Sequence, residues 1–540
     1  MKIVLIALPA PFADEPAMNP PLGLAYIAAS LKAAGHDEIQ AVDFATHDYN
    51  YDEHEWTSEI PQGADLYGIS CMTVQYRWLA KACEHIRKNN KGAQIVVGGP
   101  HASSLPQDCL EVGADIAING EGENAIVQIA EETPIAEVEG ACYMDNGRFV
   151  KRQRATMSAL DSLPFPDRDL FDMSRYKRKL DGERAVHIVT LRGCPYKCRY
   201  CDKKSVGARV MYRSVENVME EIDLIRKSYD INSFVIYDDI FTLKRDRVEE
   251  FCKAFADRKL KWRCWARADA VDEKILTLMK ESGLTSITLG IESGDDRVLR
   301  RILKRVTAAD NERALLACKS VGVPVRCSLM YGNPGDDLIS AENTVELIKK
   351  TQPDEWNLAI LKPTPGSDMW ERPQSSGLKF DKEKLKADGY ASLNRFEDTG
   401  IGAPVVEIDS CTPNELLENI RYLVTQLEEV CPRKDIQGTI QKIDLSNLPE
   451  PEPEPPEDVD TEEKLGPGFT DEEDAKKEAL EESEPEMCPE CGVELHDGEC
   501  PAWMSHEVKI ASVDHDPDDE DMNYDPDEEE DSLDDEFDEE

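Results

Sequence analysis

The chain has 540 residues, 16 cysteines and a formal net charge of −48. The acidity is concentrated at the end, because residues 441–540 carry 41 Asp and Glu against 5 Lys and Arg. A general nucleic-acid binder needs a basic footprint, so this balance argues against that class. No apolar run approaches the roughly 20 residues needed to span a bilayer, so no membrane span is expected.

The cysteines indicate a reducing, cytoplasmic location. Residues 1–7 are apolar, but they lack the charged start and the cleavage site of a secretory signal. They predict a buried first strand instead, and a chain of this length without a signal is expected to keep its thiols free.

Strand and helix signals alternate over the first 130 residues. Predicted strands cover residues 2–7, 38–44, 65–71, 94–98 and 114–119, and predicted helices cover 20–34, the stretch up to about 89, and 123–132. This alternation predicts an α/β domain with a doubly wound parallel sheet over residues 1–135. The ligand crevice of such a sheet lies at the carboxyl ends of its strands. That edge contains the candidate binding residues Ser70, Thr73, Gly98, Gly99, His101, Gly120 and Gly122.

A second α/β region follows a connector. Residues 160–171 are proline-punctuated and charged, which predicts a connector over 136–180. Predicted strands then cover residues 187–191, 233–237, 261–265, 286–291, 323–330 and 356–361, with amphipathic helices between them. Six such units predict a partial (β/α)6 TIM-like barrel over 181–370, with its chemistry at the carboxyl ends of the strands. A partly helical extension is expected over 371–445.

The last segment, residues 446–540, combines low hydrophobicity with high negative charge, which predicts disorder. We expect it to solubilise the protein or to dock an unknown partner. Residues 488–506 resemble half of a zinc ribbon, in which zinc would be held by Cys488, Cys491, Cys500 and His496. Because a second C-x2-C pair is missing, a set of reactive thiols is the alternative.

Three cysteines on one short loop carry most of the chemical information. Cys194, Cys198 and Cys201 have the spacing C-x3-C-x2-C. Three thiolates so placed hold three corners of a cubic iron–sulfur cluster and leave one iron open. The alternative is a structural zinc loop, but no fourth ligand lies nearby. The spacing, with the aromatic Tyr200 before the last cysteine, resembles the signature of the radical S-adenosylmethionine (SAM) superfamily.

This resemblance implies a [4Fe-4S] cluster whose open iron chelates SAM. Reductive cleavage of SAM would then give a 5′-deoxyadenosyl radical. Asp238 and Asp239, after the second barrel strand, resemble the variant typical of cobalamin-dependent members, which implies contact with the SAM amino group. The alternative is a solvated loop cap, and which aspartate points inward stays open.

Three later loops extend the resemblance. Arg267 pairs either with a carboxylate of SAM or of the substrate, or with a protein acid in a structural salt bridge. Glu292 and Ser293, in a Gly-Ile-Glu-Ser-Gly segment, match the residues that bind the ribose, although a plain turn is the alternative. Asn333 and Pro334 belong to a segment that resembles the one packing near adenine.

Residues 1–130 resemble the cobalamin-binding domain that precedes many radical SAM barrels. The matching features are the Pro-Pro-x-Gly start of the first helix, the Ser-x-x-Thr turn, and the Gly-Gly-Pro-His and Gly-Glu-Gly-Glu loops. The Asp-x-His-x-x-Gly motif is absent, so no histidine from that motif would ligate cobalt. A purely structural flavodoxin-like domain is the alternative, and for His101 the alternative is the capping of a turn.

The combined resemblances predict a cobalamin-dependent radical SAM enzyme that methylates an unactivated carbon of a small-molecule substrate. Its cofactors would be the [4Fe-4S] cluster, SAM and cobalamin, and its electron donor a protein such as flavodoxin or ferredoxin. Two alternatives stay open: ring closure or rearrangement without methyl transfer, and a non-catalytic cobalamin or redox sensor. A methylthiotransferase is disfavoured, because Cys71, Cys83 and Cys109 lack the arrangement of its second cluster.

Overall fold

The computed structural model of this chain describes residues 1–449, apart from residues 12–16, 48, 52, 157–158, 394–403, 435–444 and 446–447. The described residues all belong to one compact unit, Met1–Pro455. The acidic tail lies outside them, together with the predicted zinc ligands Cys488, Cys491, His496 and Cys500. The zinc site therefore stays a prediction.

Seven strands build the first sheet, in the spatial order β2-β1-β3-β4-β5-β6-β7. These strands are β1 (Ile3–Ala7), β2 (Ile39–Asp43), β3 (Leu66–Ser70), β4 (Gln94–Gly98), β5 (Ile116–Ile118), β6 (Ala141–Asp145) and β7 (Arg148–Lys151). The helices of this region are α1 (Leu22–Ala33), α2 (Tyr76–Asn89), α3 (Pro100–Ser104), α4 (Pro106–Glu111) and α5 (Glu123–Ala130). Strands β1 to β5 are parallel, which confirms the predicted doubly wound α/β sheet.

A hairpin that the sequence analysis did not predict extends this sheet. Strands β6 and β7 pair antiparallel, and β6 pairs with β5, within the segment predicted to be a connector. Asn146 and Gly147 make the two-residue turn, with φ of 48° and 81°. An Asn-Gly pair suits such a turn because both of its central residues need positive φ.

The second sheet has the order β16-β15-β14-β13-β12-β9-β8. The remaining strands are β8 (Lys179–Leu180), β9 (Glu183–Ile188), β10 (Leu191–Arg192), β11 (Met211–Tyr212), β12 (Ser233–Ile236), β13 (Lys261–Arg267), β14 (Leu284–Glu292), β15 (Val325–Tyr331), β16 (Glu355–Ile360), β17 (Leu378–Lys379) and β18 (Glu407–Ile408). Strands β9 and β12 to β16 are parallel, as predicted for the partial barrel, and β8 adds an antiparallel edge.

Helices follow the parallel strands of the barrel and continue into the extension. They are α6 (Lys203–Val206), α7 (Val215–Tyr229), α8 (Arg245–Arg258), α9 (Glu273–Glu281), α10 (Asp296–Arg301), α11 (Ala308–Val321), α12 (Leu338–Thr351), α13 (Asp368–Glu371), α14 (Lys382–Ala387) and α15 (Pro413–Val430). None of the helices in the described part of the chain has the length and apolar character of a membrane span.

The first barrel strand ends earlier than the sequence predicted. Strand β9 ends at Ile188, whereas the prediction covered residues 187–191. The backbone N–H groups of Thr190 and Leu191 donate to the carboxylate of Asp238 at 2.5 and 3.1 Å. Strand β10 then pairs with β11 instead of with the sheet. The chain therefore leaves the barrel directly before the cysteine loop.

One apolar core joins the first sheet to the barrel. On β1, Ile3 and Leu5 pack into a core that also contains buried residues of α1, α5 and the barrel strands. Val4 and Ile6 point the other way, into a second core that includes α2. The alternation follows from the two-residue period of a strand. The shared core places the carboxyl edge of the first sheet opposite the first barrel strands.

Candidate cofactor site

A cavity of about 370 Å³ lies between the first sheet and the barrel. Its first wall is the carboxyl edge of the first sheet, and its second wall comes from β9, the segment after it and the end of β12. The residues that line it from the barrel side are His187, Val189, Arg192 and Tyr237. Five of the predicted binding residues line it from the sheet side: Ser70, Gly98, Gly99, Gly120 and Gly122. Its volume is typical of a ligand pocket.

The glycines at this edge serve two different purposes. A Cβ added at Gly23 or Gly98 would meet no atom within 4 Å, so glycine at these positions leaves the cavity open to a ligand. Gly99 and Gly120 have φ of +94° and +108°, and an added Cβ would lie 2.3 Å from the Ala155 carbonyl oxygen in the second case. These two glycines are required by the backbone itself. The open, largely apolar edge fits a bulky cofactor.

Two predicted residues do not line this cavity. Thr73 starts a short 3₁₀ turn, Thr73–Gln75, beside it. His101 is fully buried, with ring centroids 5.2 and 5.6 Å from those of Tyr76 and Tyr390. Burial lowers the pKa of His101 to about 4, so its imidazole is neutral at physiological pH. A role for either residue in cofactor binding stays a prediction.

An arginine that sequence reasoning missed connects the two walls. Arg192 donates from Nη2 to Glu123 Oε1 at 2.7 Å and from Nη1 to Glu121. Its guanidinium also lies 5.1 Å from the centre of the Tyr26 ring. Because Arg192 stands two positions before Cys194, it ties the Gly-Glu-Gly-Glu loop of the first sheet to the cysteine loop.

The three cysteines of the loop are free and lie close together. Burial raises the pKa of the Cys201 thiol to about 11, Lys203 lowers it, and the charges of Cys198 and Cys194 raise it further. In the part of the chain that the structure describes, no three His, Cys, Asp or Glu side chains form a site for one metal ion. A cubic cluster binds each cysteine through a different iron, so it does not need three thiolates to converge on one point.

The two aspartates after β12 make different hydrogen bonds. Asp238 is buried and accepts from the N–H groups of Thr190 and Leu191 and from the Thr190 hydroxyl. Burial raises its pKa to about 6, and these hydrogen bonds lower it. Among the described residues, Asp239 accepts one hydrogen bond, from the N–H of Gly193 at 2.7 Å. Asp238 therefore shapes the start of the loop, whereas Asp239 keeps acceptor capacity for a ligand.

Arg267 forms the salt bridge that was one of its two predicted alternatives, and contact with SAM or a substrate carboxylate stays a prediction. Its guanidinium forms a two-pronged pair with Asp269, with N···O distances of 2.9 and 3.0 Å. It also lies 3.7 Å from the centre of the Tyr196 ring, which belongs to the cysteine loop. Arg267 therefore packs against the cysteine loop through Tyr196, and the carboxylate that it binds in this structure is that of Asp269.

Glu292 ends β14 beside the cysteine loop. Its Oε1 accepts from the hydroxyl of Tyr200 at 3.0 Å and from Lys304 Nζ at 2.8 Å. Oε2 of Glu292 has no hydrogen-bond partner in the described part of the chain. Ser293 is buried, and its Oγ accepts from the N–H of Asp295 at 3.1 Å. Oε2 of Glu292 is therefore the group of this segment that can accept a hydroxyl of a ligand.

The loop after β15 is held by a buried amide and a buried carboxyl. Asn333 Nδ2 donates to the Met330 carbonyl at 3.0 Å and to Asp336 at 3.1 Å. Burial raises the pKa of Asp336 to about 7. Pro334 is buried in the same loop. The side chain of Asn333 thus holds the loop in shape, and contact with adenine by this segment stays a prediction.

The comparisons with known proteins agree with this arrangement. The model of the radical SAM superfamily matches residues 188–348, and the model of the B12 binding domain matches residues 16–130. A B12-binding domain therefore precedes a radical SAM domain in this chain. The cysteine loop and the four strand-end segments after it lie within the first match, and the glycine-lined edge lies within the second.

Two curated relatives match most of this chain. An uncharacterised methyltransferase of Pyrococcus horikoshii is 29% identical over 396 residues, which is 70% of this chain and 84% of the relative. An anaerobic magnesium-protoporphyrin IX monomethyl ester cyclase of Rubrivivax gelatinosus is 25% identical over 418 residues, which is 74% of this chain and 72% of the relative.

A solved structure shares the fold. It is the radical SAM methyltransferase TsrM from Kitasatospora setae with cobalamin and a [4Fe-4S] cluster bound, with a TM-score of 0.58 and 17% sequence identity. The match covers 71% of this chain and 81% of TsrM.

Sequence reasoning missed the barrel-side wall of the cavity. His187 is buried, and its ring packs edge-to-face on Tyr237 at 5.4 Å. Its Nδ1 has no hydrogen-bond partner among the residues that the structure describes. The alternation of side chains along the predicted first barrel strand was the available signal, because His187 and Val189 stand two positions apart. For Arg192 and Lys304 the sequence offered no motif.

Proposed function

We propose that this chain is a cobalamin-dependent radical SAM methyltransferase that transfers a methyl group to an unactivated carbon of a small molecule. The observation that supports this most is the shared cavity. One wall is the glycine-lined edge of the B12-binding domain, and the other includes Arg192, which adjoins the cysteine loop. Both cofactors would then face the same enclosed space.

Each cofactor has its own set of residues in this proposal. Cys194, Cys198 and Cys201 would bind the cluster. Asp239 and Oε2 of Glu292 would accept hydrogen bonds from the amino and ribose groups of SAM. Cobalamin would lie on the cavity edge formed by Ser70, Gly98, Gly99, Gly120 and Gly122. When bound, these groups supply radical hydrogen abstraction and methyl transfer, which no amino-acid side chain provides.

The protein's own contribution is placement. The fork from Arg192 to Glu121 and Glu123 sets the distance between the B12-binding domain and the cysteine loop. The pair of Arg267 and Asp269 holds Tyr196 of that loop in place. Fixed positions of this kind let two reactants meet without a further loss of entropy in the reacting step.

The relatives support methyl transfer. The methyltransferase of Pyrococcus horikoshii is matched over 84% of its length. TsrM, which shares the fold, is a methyltransferase whose structure has cobalamin and a [4Fe-4S] cluster bound. Ring closure is the second candidate, because the magnesium-protoporphyrin cyclase of Rubrivivax gelatinosus is matched over 72% of its length. The predicted electron donor, the zinc site of the tail and a partner for the tail stay predictions.

The test is an anaerobic product assay. The full chain is reconstituted with iron, sulfide and hydroxocobalamin, SAM and a reductant are added, and nucleosides are quantified by mass spectrometry. We expect both 5′-deoxyadenosine and S-adenosylhomocysteine from the wild type. The variant Cys198→Ala should lose 5′-deoxyadenosine, and the matched control Cys411→Ala should keep it.

The alternative outcomes are distinct. Deoxyadenosine without S-adenosylhomocysteine would contradict methyl transfer and favour the cyclase-type reaction. Neither product, from protein that retains cluster and cobalamin, would contradict an enzyme of this class and favour a sensor.

A further inference from the structure

Three side chains close a hydrogen-bonded triangle beside the cysteine loop. Lys304 Nζ lies 2.8 Å from Glu292 Oε1 and 3.1 Å from the Tyr200 hydroxyl oxygen. The Tyr200 hydroxyl donates to the same oxygen of Glu292 at 3.0 Å. The side chains of Lys304 and Glu292 are only 7% and 12% exposed. A nearly buried ion pair therefore lies in contact with the residue that precedes Cys201.

The backbone around this triangle adopts conformations that ordinary residues avoid. Glu292 has φ of 64°, and Leu303 and Arg305, which flank Lys304, have φ of 53° and 56°. Such left-handed conformations are unfavourable for residues with a Cβ and persist only where the surroundings impose them. The fold thus holds Lys304 at this place against the preference of its neighbours.

Two further hydrogen bonds connect the lysine segment to the cysteine loop and to its support. Arg267 Nη2 donates to the carbonyl of Lys304 at 2.8 Å. The N–H of Arg199, between Cys198 and Cys201, donates to the carbonyl of Ile302 at 3.0 Å. Lys304 is therefore positioned by the same groups that position the cysteines.

The charges explain why a cation is needed here. A cubic cluster on three thiolates is an anion, and each electron that it accepts adds a negative charge. A bare carboxylate in the poorly solvated surroundings of Glu292 would oppose that reduction, since Coulomb energies grow as the local dielectric constant falls. The ammonium of Lys304 cancels this charge. Lys304 Nζ contacts Glu292 through Oε1 and also contacts the Tyr200 hydroxyl, so Oε2 of Glu292 stays available to a ligand.

We propose that Lys304 is a positioning residue that neutralises Glu292 beside the [4Fe-4S] cluster. It keeps Oε2 of Glu292 available to the ribose hydroxyls of SAM and keeps the cluster reducible by a flavodoxin- or ferredoxin-type donor. In that reduction the donor loses one electron and the cluster gains it, and the triangle moves no proton. The inference rests on the proposed function, because it requires the cluster.

The test is the reduction potential of the cluster, measured by redox titration with electron paramagnetic resonance on the reconstituted full chain. K304M should shift the potential to more negative values, because Glu292 is left unpaired. E292Q should shift it to more positive values, because the cation remains. The double variant K304M/E292Q should return close to the wild type, and K304R should preserve the wild-type value.

The controls separate this inference from the proposed function. K349M, at an exposed lysine of α12, should leave the potential unchanged. A wild-type chain that takes up no cluster would refute the proposed function and the inference together. A loaded cluster whose potential is the same in wild type, K304M and E292Q would overturn the inference alone. If K304M holds no cluster, an E292Q potential at or below the wild-type value overturns it.

Discussion

Arg192 Nη2 lies 2.7 Å from Glu123 Oε1, so the residue that leads into the cysteine loop is bonded to the last loop of the B12-binding domain. The side chains of Arg192 and Glu123 are 18% and 5% exposed. A charge-assisted hydrogen bond in such surroundings is stronger than a surface salt bridge. Together with the shared apolar core, this contact holds the edge of the first sheet next to the segment that leads into the cysteine loop.

Replacing Arg192 should weaken the contact between the first sheet and the segment that leads into the cysteine loop. We expect R192A to lose about 2 kcal/mol of stability, because two acidic side chains lose their partner. The cavity wall also loses its guanidinium, so the variant should retain less cobalamin per chain after desalting, measured by absorbance. R372A, at a well-exposed arginine, is the control and should behave as the wild type. If R192A retains as much cobalamin as the wild type, Arg192 does not contribute to cobalamin binding.

Two glycines of the cavity edge should respond in opposite ways. An added side chain at Gly98 meets open space, so G98V should fold normally but obstruct the cavity. We expect its affinity for cobalamin to fall about tenfold, which is ~1.4 kcal/mol. G120A should instead be destabilised by about 1–3 kcal/mol, because the residue has a positive φ and its Cβ meets the Ala155 carbonyl.

Thermal unfolding and cobalamin titration, done on both variants, check this pair. A G98V protein that binds cobalamin as tightly as the wild type would show that the ligand does not use this edge.

The two aspartates after β12 should separate folding from ligand binding. D238N should destabilise the chain by about 2 kcal/mol, because an amide group replaces an acceptor of three hydrogen bonds. D239N should fold nearly as well as the wild type but bind SAM about tenfold more weakly, since it loses the charged acceptor. Anaerobic calorimetric titration with SAM and thermal unfolding measure the two effects. If D239N binds SAM as tightly as the wild type, Asp239 does not bind the amino group of SAM.

The stability of the chain should depend on pH through His101. Burial lowers the pKa of this histidine to about 4, from a usual value near 6.5. The unfolded chain therefore binds more protons than the folded chain between pH 6.5 and pH 4, and stability falls as the pH falls through this window. At pH 4 this effect of His101 lowers the free energy of unfolding by about 3 kcal/mol relative to neutral pH.

Denaturant unfolding at several pH values measures this slope. H101L should flatten the dependence below pH 6.5, and H54Q, at an exposed histidine, should leave it unchanged. An H101L profile with the wild-type slope would show that His101 is not the responsible group.

Local patterns predicted the strands well, because apolar runs and helical periods are set by nearby residues. The parallel strands of both sheets lie within a few residues of their predicted positions. The early end of β9 was not predictable in this way, since it depends on the carboxylate of Asp238, far away in the sequence. The hairpin at Asn146 and Gly147, which was not predicted, does carry a local signal, because an Asn-Gly pair favours a two-residue turn.

The site was predictable only as far as its motifs extend. The spacing of the cysteines and the glycine-rich loops is visible in the sequence. The partner of Arg267 is not visible in the sequence, because the conformation of the turn after β13 brings Asp269 into contact with the guanidinium. Lys304 carries no motif at all, and its position follows from left-handed backbone at its two neighbours. Contacts of this kind require the folded structure.

The most direct test of the proposed function is an anaerobic crystal structure of the chain reconstituted with its cluster, cobalamin and SAM. We predict electron density for the corrin ring in the cavity between Gly98 and Tyr237, next to a cluster on Cys194, Cys198 and Cys201. A corrin bound elsewhere, or an empty cavity in protein that binds one cobalamin per chain, would contradict the shared cavity on which the proposed function rests.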